Sequence, residues 1–407
     1  MAISREIIVL GAGIAGLALA RALALRGAQV TVLEQAEGLR EVGAGIQVTP
    51  NGMAVLRGLG LADGLRGMAS RGVELRDGPS GREVARLDMA RLRPDQPWTF
   101  VHRADLVALL ADGARAAGVE LRVLQRIERV DLRDDGPAVI TAQGAELRPG
   151  LVIGADGLHS VLRSALDPQS RARFTGQVAW RATIPCEADP DPVAQVWMGP
   201  GRHLVSYPLR EGTLRNIVAV EERRDWVAEG WSHRDDPQAL RVAFAGFAAP
   251  ARAWLDQVDE CWLWGLFRHP VASNWGWVAP AHPENGVMIL GDAAHPTLPF
   301  LAQGGNMAME DAWVLAACLD EMPDGDLARV VRAYQSARAG RTSRIVAAAS
   351  ANARNYHFAT PMRQIAHAGL RLMSSVAPAR LVGRYDWIHA FDVTAEGRFP
   401  LPGAAAS

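Results

Sequence analysis

The sequence predicts an α/β protein in which a Rossmann-like nucleotide-binding domain is interleaved with an antiparallel β-sheet domain and followed by a helical C-terminal region. Three motifs, each directly after an apolar run typical of a strand, predict the nucleotide-binding domain: GAGIAG at Gly11–Gly16, GADG at Gly154–Gly157 and LGDAAHP at Leu290–Pro296. Alternating apolar patterns between Val178 and about Arg268 predict the antiparallel sheet. We expect the three strand ends to deliver their glycine and aspartate residues to one ligand.

The first motif has the full sequence context of a dinucleotide-binding turn. A strand at 6–10 precedes Gly11, Gly13 and Gly16, and a helix rich in Ala and Leu is predicted to extend to about Leu25. The first glycine permits the tight turn, the second lets the backbone approach a pyrophosphate, and the third lets helix and strand pack closely. The start of the helix would bind the phosphates with its free N–H groups.

The second predicted strand supplies the acidic residue of this motif. Gly27 is placed as the C-cap of the helix, a strand at 28–33 follows, and Glu34 stands where a carboxylate can hold a ribose hydroxyl. An ordinary tight turn would explain the glycines but not Glu34. The sequence therefore predicts dinucleotide binding.

Composition predicts a large enzyme without affinity for nucleic acid. The chain has 407 residues, 49% of them hydrophobic, and a net charge of −1. It contains no lysine, so all 43 basic residues are arginine, and a given arginine is weak support for a phosphate site. Cys186, Cys261 and Cys318 have no CxxC spacing, which indicates reduced, non-metal thiols in the cytoplasm. Charged residues interrupt the apolar N-terminal stretch, so no integral membrane segment is predicted.

The chain is predicted to alternate between domains. GAGIQVTPN at 43–51 is interpreted as a glycine-rich loop entering a helix, and a helical interruption is expected in the sheet domain near 234–248. The predicted order is a first segment of the nucleotide-binding domain (1–72), a hairpin of the sheet domain (73–100), a second nucleotide-binding segment (101–175), the substrate-binding β-sheet domain (176–282), a third nucleotide-binding segment (283–345) and the C-terminal helical region (346–407).

Motifs along nearly the whole chain resemble one enzyme family. They are GAGIAG with Glu34, HRADL at 102–106, GADGLHSVLR at 154–163, LGDAAHPTLPFLAQGGNMAMEDA at 290–312 and RYDWI at 384–388. With them the chain resembles the single-component FAD-dependent aromatic hydroxylases of the p-hydroxybenzoate hydroxylase fold. Within these it is most similar to the branch of salicylate hydroxylase, 3-hydroxybenzoate 6-hydroxylase and 6-hydroxynicotinate 3-monooxygenase.

The resemblance implies non-covalently bound FAD and a set of residues that holds it. Asp292 would accept hydrogen bonds from a ribityl hydroxyl, and the helix beginning at Gly304 would face the flavin pyrimidine edge, where reduction places negative charge. The expected FAD-binding residues are Gly11, Gly13, Ala15, Gly16, Glu34, Gln47, Arg103, Asp156, Gly157, Asp292, Gly304, Gly305 and Asn306.

Only one complete glycine fingerprint occurs, which predicts that NADH or NADPH binds transiently as a co-substrate. By the resemblance, Asp156 and Arg163 contact it. The family's chemistry implies that O2 then forms a flavin C4a-hydroperoxide, which hydroxylates a phenolic or hydroxypyridine carboxylic acid. The protein must keep water away from that intermediate.

Substrate contacts are predicted on a strand and on two loops. Strand alternation puts His203 and Tyr207 on one face, and relatives place a catalytic, substrate-contacting His and Tyr at matching positions. A His near a phenol could accept its proton, whereas a surface histidine and a core tyrosine are the structural alternatives. Gln47 is a candidate substrate or flavin contact. Pro299 and Phe300 are further candidates, in a loop where several relatives carry a polar Gln or His.

Four other residues are interpreted as structural first. His295 belongs to the LGDAAHP motif, which relatives share whatever their substrate. Arg181 is a candidate partner of a substrate carboxylate. Met198 and Trp180 are candidates for an apolar pocket around Phe300, although such residues are more often core.

Rival functions remain open at the level of sequence. A quinone-precursor or other biosynthetic hydroxylase would share all three motifs, and a non-enzymatic flavin-binding protein would bind FAD without turnover. A pyridine-nucleotide dehydrogenase would not explain GADG or LGDAAHP. We expect a cytoplasmic enzyme with small aromatic, NAD(P)H and O2 partners and no metal, and a homodimer through the C-terminal helices is one candidate assembly.

Overall fold

The computed structural model describes residues 6–39, 45–223, 225, 233–321 and 326–395. Within them the strands are β1 (Glu6–Leu10), β2 (Gln29–Leu33), β3 (Gly45–Val48), β4 (Met68–Ala69), β5 (Gly72–Asp77), β6 (Glu83–Asp88), β7 (Thr99–His102), β8 (Glu120–Arg122), β9 (Ile127–Arg133), β10 (Gly136–Thr141), β11 (Glu146–Leu147), β12 (Leu151–Gly154), β13 (Arg173–Pro185), β14 (Val193–Gly199), β15 (Arg202–Leu209), β16 (Leu214–Glu222), β17 (Arg234–Asp235), β18 (Cys261–Arg268), β19 (Gly276–Val278) and β20 (Gly286–Ile289).

The α-helices of the same residues alternate with these strands in the first half of the chain and dominate its end. They are α1 (Ile14–Ala24), α2 (Pro50–Gly58), α3 (Met89–Leu92), α4 (Arg103–Ala116), α5 (Val161–Leu166), α6 (Pro237–Ala243), α7 (Ala249–Asp256), α8 (Gly304–Asp320), α9 (Leu327–Tyr356), α10 (Met362–Val376), α11 (Pro378–Gly383) and α12 (Asp386–His389). This arrangement confirms the predicted α/β class.

A six-stranded sheet in the order β19-β20-β12-β1-β2-β8 forms the nucleotide-binding half. Strands β8, β2, β1, β12 and β20 run parallel. The inner strands β1, β2, β12 and β20 are mainly apolar and buried, as is typical of a parallel sheet covered by helices, whereas the edge strand β8 is charged. Helix α1 is buried along most of its length and packs against α4 and α8. Gly27 has a φ of 88° just after α1, as a C-terminal glycine cap requires.

An eight-stranded sheet in the order β17-β18-β13-β16-β15-β14-β5-β6 forms the second layer. The five strands predicted between 178 and 268 are present and pair with one another in antiparallel fashion. The excursion hairpin, β5 and β6, joins this sheet through a parallel pairing of β5 with β14, so the sheet is not purely antiparallel. Because no short turn connects β5 to β14, local sequence does not determine the direction in which β5 runs beside β14.

Two further predictions differ from the structure in detail. The segment interpreted as a loop at 43–51 contains strand β3, paired with β7; its first residues lie outside the described part. The helical interruption of the sheet consists of two helices, α6 and α7, and extends to Asp256. The end of the predicted C-terminal helical region, from residue 396 to 407, lies outside the described residues.

The domain boundaries stay a prediction, although the pairing of one short strand bears on them. Strand β19 precedes the predicted boundary at 283 and pairs with β20 in the nucleotide-binding sheet. Among the described helices, none combines the length and the apolar character that crossing a membrane requires.

Candidate active site

Three neighbouring strands end at one edge of the six-stranded sheet. Leu10 of β1 is in register with Gly154 of β12, and Gly154 is in register with Ile289 of β20. The residues that follow, Gly11, Ala155 and Leu290, therefore lie side by side at the carboxyl edge. This is the place where parallel α/β sheets bind ligands, and the predicted convergence of the three motifs is confirmed.

The three glycines of the first motif have different surroundings. A Cβ atom on Gly11 would lie 2.6 Å from the Ala155 carbonyl oxygen, and one on Gly16 would lie 2.0 Å from the Gly11 oxygen. A Cβ on Gly13 would meet nothing within 4 Å. Helix α1 begins there without a side-chain cap, which leaves its first N–H groups for a ligand. The open space over Gly13 fits a diphosphate.

Glu34 lies against the same turn. One carboxylate oxygen accepts a hydrogen bond of 2.8 Å from the Ala12 N–H, and the other accepts one of 2.8 Å from the Ala36 N–H. The carboxylate is therefore fixed beside the glycine turn, where the sequence placed a ribose ligand.

Asp292 is accessible to solvent, although protein atoms surround it closely. This is expected of a side chain at the bottom of a cleft, and we use that word for the recess at the carboxyl edge of the sheet. The enclosed position of Asp292 raises the pKa of its carboxyl, and the nearby His295 and Arg103 lower it in part. Arg103 is the first residue of helix α4 and is close enough to Asp292 for its charge to act on the carboxyl. An acceptor and a cation side by side suit the polar middle of FAD.

Asp156 and Arg163 bind mainly to the protein itself. Asp156 Oδ2 accepts a hydrogen bond of 2.9 Å from the Val161 N–H at the start of α5, whereas its buried Oδ1 has no hydrogen-bond partner among the described residues. Arg163 is buried, and its guanidinium donates to the Ala293 carbonyl at 3.2 Å and the Pro270 carbonyl at 2.6 Å. Arg163 thus ties α5 to the loop that carries Asp292, and its contact with NAD(P)H stays a prediction.

Helix α8 begins at the predicted residues Gly304, Gly305 and Asn306. Asn306 Oδ1 accepts from the Thr49 N–H at 3.1 Å, and its amide donates to the Gln47 carbonyl at 2.9 Å. The asparagine side chain therefore holds β3 against the helix. The N–H groups at the start of α8 have no side-chain cap and are left for a ligand.

A buried ionic network lies directly behind this helix start, and sequence reasoning missed it. Asp311 binds His295 Nε2 at 2.5 Å and Arg338 Nε at 2.7 Å, and Glu310 binds Arg338 at 2.6 Å and Arg341 at 2.8 Å. Glu310 also accepts a hydrogen bond of 2.6 Å from Asn51. His295 thus has the structural role that the sequence favoured. The sequence feature that could have indicated this network is the adjacent pair Glu310 and Asp311 in MEDA, which lies inside an otherwise apolar helix.

The eight-stranded sheet presents one face to this cleft and the other to a separate core. Register places Ala179, Val220 and His203 in one row and Thr183, Asn216 and Tyr207 in another row on the same face. Alternate residues point to the opposite face and pack under α6 and α7. These residues of the opposite face are apolar and buried, and they include Val178, Trp180, Ala182, Trp197, Leu204, Ile217 and Ala219.

This alternation corrects one sequence interpretation. Trp180 lies on the face opposite His203, donates its indole N–H to Asp235 at 2.6 Å and packs against Phe244. Met198 belongs to a neighbouring apolar cluster, so neither residue joins the group around Phe300. Phe300 instead packs with Leu298, Ala179, Val220, Trp264, Leu266 and Ala353.

Tyr207 lies in a compact polar group on the cleft-facing side. Its ring packs 4.8 Å from that of Phe100, and a Cβ atom on Gly45 would lie 2.7 Å from its hydroxyl oxygen. Burial raises the pKa of Tyr207, while the charge of Arg181 and a hydrogen bond with Gln47 act to lower it. The structure therefore brings three predicted candidates, Tyr207, Gln47 and Arg181, together.

Gln47 is fixed by a second partner. Its side-chain oxygen accepts a hydrogen bond of 3.0 Å from the Trp98 indole N–H. Asn216, which the sequence analysis did not single out, is fully buried beside Tyr207 and accepts a hydrogen bond of 2.8 Å from the Gly45 N–H. No local pattern marks Asn216, because strand LRNIVAVEE is otherwise typical of sheet.

His203 is buried and meets the predicted loop residue Phe300, with ring centroids 5.3 Å apart. Its Nδ1 is hydrogen bonded at 2.7 Å to His357 Nε2, and His357 Nδ1 is bonded at 2.8 Å to Glu222. Burial and the charge of His357 hold the pKa of His203 well below its usual range. His203 is therefore neutral at neutral pH, and one of its ring nitrogens can accept a hydrogen bond. Pro299, in contrast to Phe300, has an exposed side chain.

A cavity of about 1450 Å³ adjoins the apolar group around Phe300 and reaches the surface. Leu298 and Ala353 belong to both. Its wall also contains Ser170 and Pro270, two hydrogen-bond partners of Arg163. Its basic side chains are Arg171, Arg173, Arg223, Arg268, His269 and Arg354, against the acidic Asp167 and Glu222. The wall therefore favours anionic ligands.

Comparisons with known proteins agree with this site. Residues 4–349 match a sequence family described as FAD binding domain. A 3-amino-4-hydroxybenzoate 2-monooxygenase of Streptomyces cremeus is 36% identical over 361 residues, which cover 86% of this chain and 88% of that protein. A 3-hydroxybenzoate 6-hydroxylase of Polaromonas naphthalenivorans is 33% identical over 399 residues, which cover 95% of this chain and 96% of that protein.

A solved structure extends the similarity to three dimensions. The crystal structure of Klebsiella pneumoniae HpxO complexed with FAD and uric acid is 26% identical, has a TM-score of 0.78, and covers 93% of this chain and 95% of that chain. The resemblance drawn from the motifs is confirmed. The chain belongs to the FAD binding domain family, in which it is an FAD-dependent aromatic monooxygenase.

Proposed function

We propose that this enzyme uses NAD(P)H and O2 to hydroxylate a phenolic or hydroxypyridine carboxylic acid, with the ring held between Phe300 and the sheet face that carries His203 and Tyr207. The observation that carries the proposal is the placement of a buried, neutral histidine on the face that meets the cofactor loop. That loop runs from Asp292 to the start of α8, so the same segment borders both the flavin and the substrate.

Each polar group of such a substrate has a matching side chain. Neutral His203 would take the hydroxyl proton and so increase electron density at the ring carbon that is attacked. Tyr207, with its raised pKa, stays protonated and can donate a hydrogen bond. Arg181, close enough to act on Tyr207, would pair with the carboxylate.

The residues that would hold FAD are those of the carboxyl edge. The turn at Gly11–Gly16 would receive the diphosphate, Glu34 a ribose, Asp292 and Arg103 the ribityl chain, and the start of α8 the flavin ring. When bound, FAD takes a hydride from NAD(P)H and activates O2. Phe300, Leu298 and Val220 would keep the reacting atoms dry.

We assign the transient NAD(P)H site to the basic cavity. It lies beside the cofactor loop, and its five arginines complement the phosphates of a dinucleotide. Arg268 is exposed on its wall, as a residue meeting a ligand that binds and leaves should be. This assignment agrees with the single glycine fingerprint of the sequence.

The alternative of a quinone precursor or a larger biosynthetic substrate is not favoured. The polar group of Gln47, Tyr207 and Arg181 suits a small acid better than an isoprenoid tail. The relatives described above are named for hydroxybenzoates.

We also propose a cytoplasmic location and a homodimeric assembly. The cysteines Cys186, Cys261 and Cys318 are free thiols, which is typical of a reducing cytoplasm. An exposed apolar stripe on α10, formed by Met362, Ile365, Leu372, Met373 and Val376, supports a homodimer through the C-terminal helices.

The test is NADH and NADPH oxidation by the FAD-loaded enzyme with 3-amino-4-hydroxybenzoate, 3-hydroxybenzoate, salicylate, 6-hydroxynicotinate and quinone precursors. We expect one of the aromatic acids to stimulate oxidation and to give a product one oxygen heavier with little peroxide. Stimulation by quinone precursors alone would contradict the substrate class.

The same assay tests the NAD(P)H cavity. Arg268→Gln should raise the KM for NAD(P)H about fivefold, the equivalent of about 1 kcal/mol for one partly screened charge. The KM for the aromatic acid and the flavin absorbance should stay unchanged. Arg57→Gln, an exposed arginine on α2, is the matched control. An unchanged nucleotide KM in Arg268→Gln would place the dinucleotide elsewhere.

A further inference from the structure

Three side chains form a hydrogen-bonded line from the cleft-facing sheet to the surface. His203 on β15, 1% exposed, bonds through Nδ1 to Nε2 of His357 at 2.7 Å. His357, with a side chain 2% exposed, bonds through Nδ1 to Glu222 on β16 at 2.8 Å. The Glu222 side chain is 53% exposed and lies on the wall of the basic cavity. The line therefore joins a buried base to solvent.

Backbone hydrogen bonds hold the three residues in register. The Gly201 N–H, in the turn before β15, donates to the His357 carbonyl at 3.1 Å. The Glu222 N–H donates to the Gly201 carbonyl at 2.8 Å. One glycine turn thus fixes both His357, at the end of α9, and Glu222, at the end of β16. Such support is expected where side chains must stay aligned.

Only one arrangement of protons satisfies the line when Glu222 is ionised and both rings are neutral. A carboxylate only accepts, so His357 carries its proton on Nδ1 and accepts with Nε2. His203 must then donate from Nδ1, which leaves the lone pair of its Nε2 for a substrate hydroxyl. Burial lowers the pKa of both His203 and His357, in agreement with two neutral rings.

We propose, on the basis of the function proposed above, that His203, His357 and Glu222 form a proton path that carries the substrate hydroxyl proton from the active site to the solvent-filled cavity. The hydroxyl proton binds His203 Nε2 while the Nδ1 proton moves to His357 Nε2. The Nδ1 proton of His357 moves to the Glu222 carboxylate and then to water. The electron pair stays on the substrate oxygen, and nothing is oxidised or reduced in this step.

His357 and Glu222 are positioning residues in this path, because they act through His203. A proton that passes from solvent back along the same line, and is finally donated by His203 Nε2 to the product oxygen, restores the starting tautomers. The groups that face the line are Tyr356, whose ring lies 5.2 Å from that of His203, and the cations Arg202 and Arg354. The C-terminal end of α9 favours positive charge on His357 while the proton passes.

The first test needs no substrate. In FAD-loaded protein labelled with ¹⁵N-histidine, two-bond proton–nitrogen correlations report the tautomer of each of the ten histidines. His203→Gln and His357→Gln assign the two signals. We expect both rings to be neutral and protonated on Nδ1 at neutral pH. A His203 protonated on Nε2, or a charged His357, would overturn the path.

The second test follows the proton. Binding of 3-amino-4-hydroxybenzoate to the FAD-loaded enzyme without NAD(P)H should produce the phenolate absorbance in a stopped-flow instrument. His357→Gln, which keeps a hydrogen bond but cannot relay a proton, should slow this step roughly tenfold, less than the roughly 10²-fold typical for loss of the base itself. Imidazole added to His357→Ala should restore part of the rate, which a purely structural role would not allow.

His367→Gln is the matched control. His367 is also a buried histidine beside a carboxylate, Asp77 at 3.2 Å, but it lies on α10 away from the line. It should deprotonate the ligand at the wild-type rate. Wild-type deprotonation in His357→Gln would overturn the path and leave the proposed function intact. The expected tautomers together with no hydroxylation of any compound in the panel would instead overturn the substrate class and leave the hydrogen-bonded line in place.

Discussion

At the scale of single residues, local sequence places the expected cofactor residues at neighbouring strand ends, but it does not identify the hydrogen-bond partners of His203. Gly11 and Glu34 follow strands directly, and Asp292 lies three residues after β20, so local sequence both marks and places them. His203 and His357 are 154 residues apart, and His357 and Glu222 are 135 residues apart. Sequence periodicity indicates which residues of one helix or strand lie close together. It does not indicate which residues of separate elements meet in the folded chain.

Asp292 supplies the sharpest prediction at this scale. Asp292→Ala removes an acceptor at the bottom of the cleft, and a hydrogen bond involving a charged group typically contributes about 1.5–3 kcal/mol. We expect FAD to bind roughly tenfold to a hundredfold more weakly and the purified protein to be colourless. The ratio of flavin to protein absorbance and an FAD titration measure this.

The control for Asp292→Ala is Asp131→Ala, which removes a surface aspartate paired with Arg129 and Arg133. It should retain its flavin. A flavin spectrum and content unchanged from wild type in Asp292→Ala would remove Asp292 from the cofactor site.

At the scale of elements, helix α8 combines two functions that sequence could only half predict. Its start at Gly304, which the glycines indicated, has no side-chain cap and is where we expect the flavin ring to lie. Its next turn contributes Glu310 and Asp311, both fully buried and bonded to Arg338. Charged residues in an apolar helix predict a buried partner, but the partner lies on α9, and only the packing of the two helices identifies it.

Asp311→Asn should destabilise the protein strongly. Burial would raise the pKa of Asp311, yet the charges of His295 and Arg338 outweigh it and hold the pKa below the usual value. The mutation leaves Arg338 with a single buried carboxylate, and breaking such a pair typically costs about 3–5 kcal/mol. Urea denaturation of the holoenzyme measures the change in the free energy of unfolding.

The lowered pKa of Asp311 determines the direction in which the stability of the protein changes with pH. The stabilisation by Asp311 is present above the pKa of an unfolded aspartate and is lost as pH falls through the lower folded value. Wild type should therefore lose stability in acid more steeply than Asp311→Asn. Asp320→Asn, which breaks only the partly exposed 3.7 Å pair with Arg26, should cost less than about 1 kcal/mol. Equal effects of the two mutations would argue against the network.

At the scale of the whole molecule, the sequence predicted the interleaving of two layers and the helical end. It did not predict that β5 joins β14 in parallel, nor which side of the C-terminal helices stays uncovered. Both depend on how separate segments meet. The stripe on α10 is the clearest consequence, since Ile365, Leu372 and Val376 are 64%, 65% and 74% exposed.

We expect the enzyme to elute at twice its chain mass of 43.7 kDa in size-exclusion chromatography with light scattering. Ile365→Glu with Leu372→Glu would place two carboxylates in the apolar stripe and should give a monomer that keeps its FAD. Val242→Glu changes a 66% exposed apolar residue on α6 and should leave the dimer intact. A monomeric wild type would rule out this assembly.

The side-by-side order of β1, β12 and β20 also has a consequence for synthesis. On the ribosome, Gly11 emerges early, but the strand that carries Asp292 and the helix start at Gly304 emerge only after the whole second layer. A nascent chain therefore has no complete place for FAD until it has been translated through β20 and α8. Cofactor capture should then coincide with closure of the six-stranded sheet, and a supply of free FAD would act on the last stage of folding and not on the first.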